Sequence, residues 1–186
     1  MGKLLFFRVS ANEYKENDII SPSDSSYSKR LDGPRNTVED ALNNAPQGGK
    51  RSDYLFLFDS LENALIYLIK HSSYNHIYLV DVDCYDVFKK CDMNFIDGMM
   101  YLVKNYSNIC ERGRADLLNT FAKDYWESGA TEAPCNEFLV KKATVRQHIF
   151  SIDTLEHEKL EKEYNDNGRR VLELEVFKEL YKKIYL

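Results

Sequence analysis

Residues 53–70 read DYLFLFDSLENALIYLIK, and two periodicities meet inside them. Leu55 to Phe58 form an unbroken apolar run of strand length. Two polar residues later the pattern changes to a helical one. Leu61, Ala64, Leu65 and Leu68 make a single stripe at 3.6-residue spacing, with Ser60 and Asn63 at its opening. A strand thus runs through Asp59 and Ser60 directly into an amphipathic helix. The fold is therefore read from this junction outward.

Upstream, KLLFFRV near the N-terminus is a further strand candidate, and ANEYKENDIISP reads as a turn or short helix leading into an extended DIISP. Between Ser21 and Asp53 the chain is polar and holds three prolines and three glycines. A polar segment of that length is expected to be a lid or binding loop, with TVEDALNNA as a short helix capped by Asn36 or Thr37. GGK at 48–50 lacks phosphate-loop spacing and reads as a turn.

Downstream, NHIYLVDVD is a strand, and YDVFKKCDMNFIDGMMYLVKNY is mixed, its second half helical. GRADLLNTFAKDYWESG is an amphipathic helix closed by Gly129, on which Phe121, Tyr125 and Trp126 form a core stripe. EFLVKKATVRQHIFSID is one long strand or two short ones. The segment 157–186 is charged and helical around NDNG. Strands and helices alternate too irregularly for a βαβ series, so the expected class is α+β or mixed, in one domain spanning 1–186.

Composition narrows the function. A hydrophobic share of 44% supports a packed core, and a net charge of -5 gives no electrostatic footprint for nucleic acid, so a protein partner is the stronger expectation. The apolar run at the N-terminus stops at Arg8, too short for a leader or a membrane span, and no membrane association is expected. Cys84, Cys91, Cys110 and Cys135 have neither zinc-site nor disulfide-scaffold spacing, which suits reduced thiols and a cytoplasmic location. The four histidines have no helical ligand spacing, and no metal site is expected.

Two constellations carry possible chemistry. HIYLVDVDCYDVF, residues 76–88, ends a hydrophobic strand in Asp81 and Asp83, the pairing by which haloacid-dehalogenase phosphatases present a nucleophile and an acid/base to Mg²⁺. Here Cys84 and Tyr85 replace the residues that loop prefers, and no second acidic strand follows. Alternating charge at a strand end is the simpler reading.

The other constellation spans the chain. FFRVS places Arg8 and Ser10 on one side of the first strand, LFLFDS ends at Ser60, and APCNEFLV starts a strand at Glu137. Arginine, serine and glutamate arriving at strand ends in that order resemble the R-S-E signature of the mono-ADP-ribosyltransferase superfamily, in its compact bacterial and phage form. The resemblance runs from Lys3 to about Ile149. It implies an ADP-ribosyltransferase-like α+β fold, a split and mostly antiparallel sheet with flanking helices, and NAD as substrate, with a macromolecular, toxin- or effector-like acceptor reaction. It implies that Glu137 stabilises the ribosyl cation, Ser60 orients Glu137, Arg8 and Ser10 hold the cofactor, and Tyr14 or Tyr67 stacks on nicotinamide. Loss of nicotinamide creates an oxocarbenium-like sugar, and a carboxylate beside it strengthens its contact as that charge develops. Cys135 stands where many members carry Glu or Gln, which implies an acceptor other than arginine. The contrasting expectation is a non-catalytic protein-interaction domain with exposed tyrosines and phenylalanines at its interface.

Overall fold

The computed structural model describes residues 2–24, 33–46, 48–106 and 110–185. The class is α+β. Strands β1 (Lys3–Ser10), β2 (Ile19–Ile20), β3 (Leu55–Phe58), β4 (His76–Asp83), β5 (Val87–Asp92), β6 (Asn136–Val140) and β7 (Ala143–Ser151) form the sheet. Helices α1 (Gly33–Asn44), α2 (Leu61–Lys70), α3 (Asn94–Asn105), α4 (Glu111–Trp126), α5 (Thr154–Asn167) and α6 (Glu175–Tyr185) complete the described structure.

By its contacts the chain divides into two compact units, residues 1–19, 57–82 and 144–186 in one and residues 20–56 and 83–143 in the other. The division falls within β3, after Phe56.

In the first unit β7, β4, β1 and the end of β3 follow one another in the sheet. β4 and β7 pair antiparallel over most of their length, from His76 opposite Ser151 to Asp81 opposite Thr144. The 53–70 junction behaves as its pattern predicts. Ser60 is extended and its side chain accepts from the Asn63 amide, capping α2, whose Leu61, Ala64, Leu65 and Leu68 are all buried. α2 packs on β1 and on α5. The C-terminal segment is two helices joined by a 3₁₀ stretch, Gly168–Glu173. α5 opens with a reciprocal capping box between Asp153 and Glu156 and ends at Gly168, whose φ of 59° glycine adopts without a Cβ clash. Phe177 and Leu180 are the buried face of α6, and Phe177 meets the Phe150 ring of β7 at 5.8 Å.

In the second unit β5 and β6 form an antiparallel pair with Cys91 opposite Glu137 and Asp92 opposite Asn136. α1, α3 and α4 pack on one another and α4 reaches β5. The core they enclose holds Val38, Leu42, Phe56, Cys91, Met99, Leu118, Tyr125, Trp126 and Leu139. Trp126 is fully buried, and its indole N–H donates to the Leu42 carbonyl at 2.8 Å.

Several expectations shift in detail. Residues 25–32 and 47 of the polar 21–53 segment lie outside the described residues. The rest of it is not a peripheral loop: α1 begins at Gly33, ahead of the expected caps Asn36 and Thr37, and buries Val38, Glu39 and Leu42. ANEYKEND is a turn rather than a helix, with Asn17 at φ 71° and only Ile19–Ile20 extended. The mixed stretch after β4 resolves into a 3₁₀ turn, then β5, then α3. Lys141 and Lys142 break the late apolar run into two strands. α4 ends at Trp126, and the Gly129 amide reaches back to the Asp124 carbonyl.

Candidate functional site

Among the described residues, Glu137, Arg51 and Glu39 bring buried charge together. β6 carries alternate side chains into the core, and Glu137 takes one of those inward positions, where it is 1% exposed. A carboxylate so placed must be paired, because an unpartnered buried charge costs several kcal/mol. The partner is Arg51, which sits in the 3₁₀ turn just ahead of β3 and is itself buried. Arg51 Nη2 donates to both Glu137 oxygens, at 2.8 and 3.0 Å. Its Nη1 donates to Glu39 Oε1 of α1 at 2.7 Å, and its Nε donates to the Tyr125 hydroxyl of α4 at 2.9 Å.

Tyr125 closes the circuit. Its hydroxyl accepts from Arg51 and donates to Glu137 Oε1 at 2.8 Å. The guanidinium plane also lies over the Phe56 ring, 4.4 Å from its centroid, and 5.4 Å from that of Tyr125. Weak hydration and planarity suit arginine to this position, where a lysine could not serve three directions at once.

The electrostatics follow from burial. Desolvation pushes Glu137 above the usual carboxylate range, against the opposing pull of Arg51 and the Tyr125 hydrogen bond. Desolvation likewise raises Tyr125 well above the ordinary phenol value. Cys91, directly across from Glu137, has its thiol pushed up to about 12, first by burial and then by the neighbouring carboxylate.

One residue further along β5, Asp92 fixes the approach to β6. It is 2% exposed, and its Oδ1 accepts from the amides of Asn94 and Cys135 while its Oδ2 accepts from the amide and hydroxyl of Thr131. Asn94 adds bonds to Thr131 Oγ1 and the Ala133 carbonyl, both at 2.8 Å. Burial alone would raise the Asp92 carboxyl, but these donors outweigh it and hold it below its ordinary value.

The residues singled out from sequence fall in different surroundings. Glu137 belongs to the second unit; Arg8, Ser10, Tyr14, Ser60 and Tyr67 belong to the first. Arg8 is 5% exposed within β1, not a surface cation. Ser10 is buried, and its hydroxyl accepts from the Asn12 amide at 3.0 Å. The Tyr14 amide donates to the Tyr78 hydroxyl at 3.0 Å, and the two rings meet edge to face at 5.4 Å. Tyr67 lies among Phe58, His71 and Tyr74, 5.2, 4.3 and 5.5 Å from their rings. Ser60 caps α2.

Asp81 of the phosphatase-like pair has Arg146 Nη1 at 3.5 Å. Among the described residues, no group of three or more His, Cys, Asp or Glu is placed to hold a metal ion. Among them, too, no helix is long and apolar enough to cross a membrane.

Arg51 and Glu39 were not among the sequence candidates. A signal for Glu39 does exist: it precedes Leu42 by three residues and so shares that residue's apolar helix face, where a carboxylate requires a buried cation. No protein-family model matches the chain, and no curated protein matches it either.

Proposed function

We propose that this chain is a non-catalytic protein-interaction module on an ADP-ribosyltransferase-like scaffold, in which Glu137 has become an internal strut. The observation that carries this reading is the state of that carboxylate, 1% exposed with both oxygens bonded by Arg51 and one by Tyr125. A glutamate that grips a nicotinamide ribose needs a free oxygen facing a cleft. Partner contact falls instead to the turn before β5 and the start of that strand, where Tyr85 is 81% and Phe88 51% exposed. Phe88 stacks on Tyr54 at 4.5 Å and Lys141 Nζ lies 4.1 Å from the Tyr54 centroid, an aromatic surface held in shape before any partner arrives.

The test is incubation with NAD labelled in the nicotinamide ring, followed by separation of free nicotinamide. Release no faster than in buffer is expected, for the native chain and for Glu137→Gln alike. Saturable release that disappears in Glu137→Gln would overturn the reading.

The R-S-E resemblance carries a second reading, glycosyl transfer from NAD. In that reading Glu137 must exchange its Arg51 and Tyr125 bonds for the ribose hydroxyl, and the same assay decides between the two.

A further inference from the structure

An irregularity in the β4–β7 pairing brings two histidines of the first unit to one face of the sheet. Ile77 stands opposite Phe150 and Tyr78 opposite His148, so Ile149 is an extra residue in β7. In a regular ladder Ile149 would oppose Tyr78 and His148 would turn to the other face. With the insertion, the His148 ring lies 5.7 Å from that of His76 and 5.1 Å from that of Tyr78.

Tyr78 is the post on which the segment 11–18 closes. It is 1% exposed, and its hydroxyl accepts from the Tyr14 amide at 3.0 Å and donates to the Asn12 carbonyl at 3.5 Å. The far end of the segment is tied to β7, where the Asn17 amide donates to the Val145 carbonyl and the Val145 amide to the Asp18 carbonyl, both at 2.8 Å. Burial pushes the Tyr78 phenol above its ordinary value, so the histidines are the groups of this cluster that change charge between neutrality and mild acid.

His76 has no place for a second proton. Its Nδ1 is buried and has no hydrogen-bond partner among the described residues. In the neutral ring Nδ1 can stand as a bare lone pair, but in the imidazolium both nitrogens are N–H groups, and Nδ1 becomes a buried donor with nothing to accept from it. Desolvation first, and then His148 across the strand pair, hold His76 below its ordinary value of 6.5, against the opposing pull of Glu13 in the 11–18 segment.

We propose that the His76–His148 pair is an acid-sensitive latch: with both rings neutral the 11–18 segment stays closed over Tyr78, and a proton on His76 releases it. Opening this short segment gives the charged ring water for a few bonds lost, whereas parting β4 from β7 would break a whole ladder. The folded value of His76 lies below the unfolded one, so the closed segment is fully stabilised above about 6.5 and loses that stabilisation as pH falls towards the folded value. The latch is independent of the Tyr85 and Phe88 surface, which belongs to the other unit.

The experiment is amide hydrogen exchange of the full ¹⁵N-labelled chain, read by NMR between about pH 8 and about pH 5 and expressed as protection factors, so that the intrinsic pH dependence of exchange cancels. Protection of the Tyr14, Asn17 and Val145 amides should fall by about tenfold or more on acidification, while that of Ile77 and Val80 inside β4 holds. His76→Phe keeps a ring without a titrating nitrogen and should abolish the fall, with circular dichroism checking that it folds. Glu13→Gln, an exposed change, removes the one charge that favours the protonated ring and should enlarge the fall. Constant protection at Tyr14 and Asn17, an equal loss at Ile77 and Val80, the same fall in a folded His76→Phe, or a smaller fall in Glu13→Gln would overturn the proposal.

Discussion

Arg51 holds Glu137 with a single nitrogen, Nη2, set 2.8 and 3.0 Å from the two carboxylate oxygens, which leaves Nη1 for Glu39 and Nε for Tyr125. One cation thus serves two buried carboxylates, and its removal strands both. Arg51→Met is expected to cost about 3–5 kcal/mol, the loss typical of breaking a buried ion pair on one side. Combining it with Glu39→Gln and Glu137→Gln should recover part of that loss. Urea denaturation of the three proteins measures both effects, and a single-variant loss below about 1 kcal/mol, the scale of an exposed pair, would show that the cluster is hydrated instead.

Asp92 and Glu137 give acid stability two slopes of opposite sign. Asp92 has a folded pKa below its unfolded value, so its contribution is present above the unfolded carboxylate range and is lost as pH falls through the folded value. Glu137 has a raised folded pKa, so it binds protons more readily folded than unfolded, and stability declines as pH rises from its unfolded to its folded value. Asp92→Asn should flatten the loss of stability on acidification, and Glu137→Gln should steepen the net rise with pH. Denaturation midpoints across the acid range read both changes.

Thiol chemistry should sort the cysteines by environment. Cys84 and Cys110 are exposed and should react at once with an aromatic disulfide reagent at neutral pH, whereas Cys91 is buried with its thiol pushed up to about 12. Reaction at Cys91 is expected only on the timescale of unfolding, and Arg51→Met should accelerate it. Peptide mapping after a timed quench identifies the modified sites, and rapid labelling of Cys91 in the native protein would contradict its placement.

Gly48 is a close-approach glycine. A Cβ there would stand 2.7 Å from Trp126 Nε1 and 2.8 Å from the Leu42 carbonyl oxygen, on top of the hydrogen bond that joins them. Gly48→Ala should cost about 1–3 kcal/mol through overpacking and loss of that bond. Because the chain has one tryptophan, its fluorescence reports the displacement without interference.

The sequence made the secondary structure legible wherever one period held over a whole element. Leu61, Ala64, Leu65 and Leu68 announce α2, and Leu55 to Phe58 announce a strand, because an apolar stripe or run is a local pattern. Tyr125 and Trp126 were legible as core for the same reason. Arg51 was not. It stands in a polar stretch with no period, and its burial depends on carboxylates delivered by α1 and β6, 12 and 86 residues away. Glu137 was noticed as a residue that needed an explanation, but its immediate sequence shows only a strand end. Whether a carboxylate faces solvent or a guanidinium is decided by tertiary packing, which no local period encodes.

The buried cluster also sets the order in which the second unit can assemble. Its four polar members come from α1, the turn before β3, α4 and β6, and the Arg51–Tyr125 and Arg51–Glu137 bonds span 74 and 86 residues. A β5–β6 hairpin that excluded water before Arg51 arrived would trap Glu137 as a naked charge, and α1 docked early would do the same with Glu39. Partial assemblies therefore stay wet and open, and the last dry contacts form together. Amide protons of α4 and β6 should accordingly exchange with one shared opening free energy, as a single cooperative block rather than a graded series.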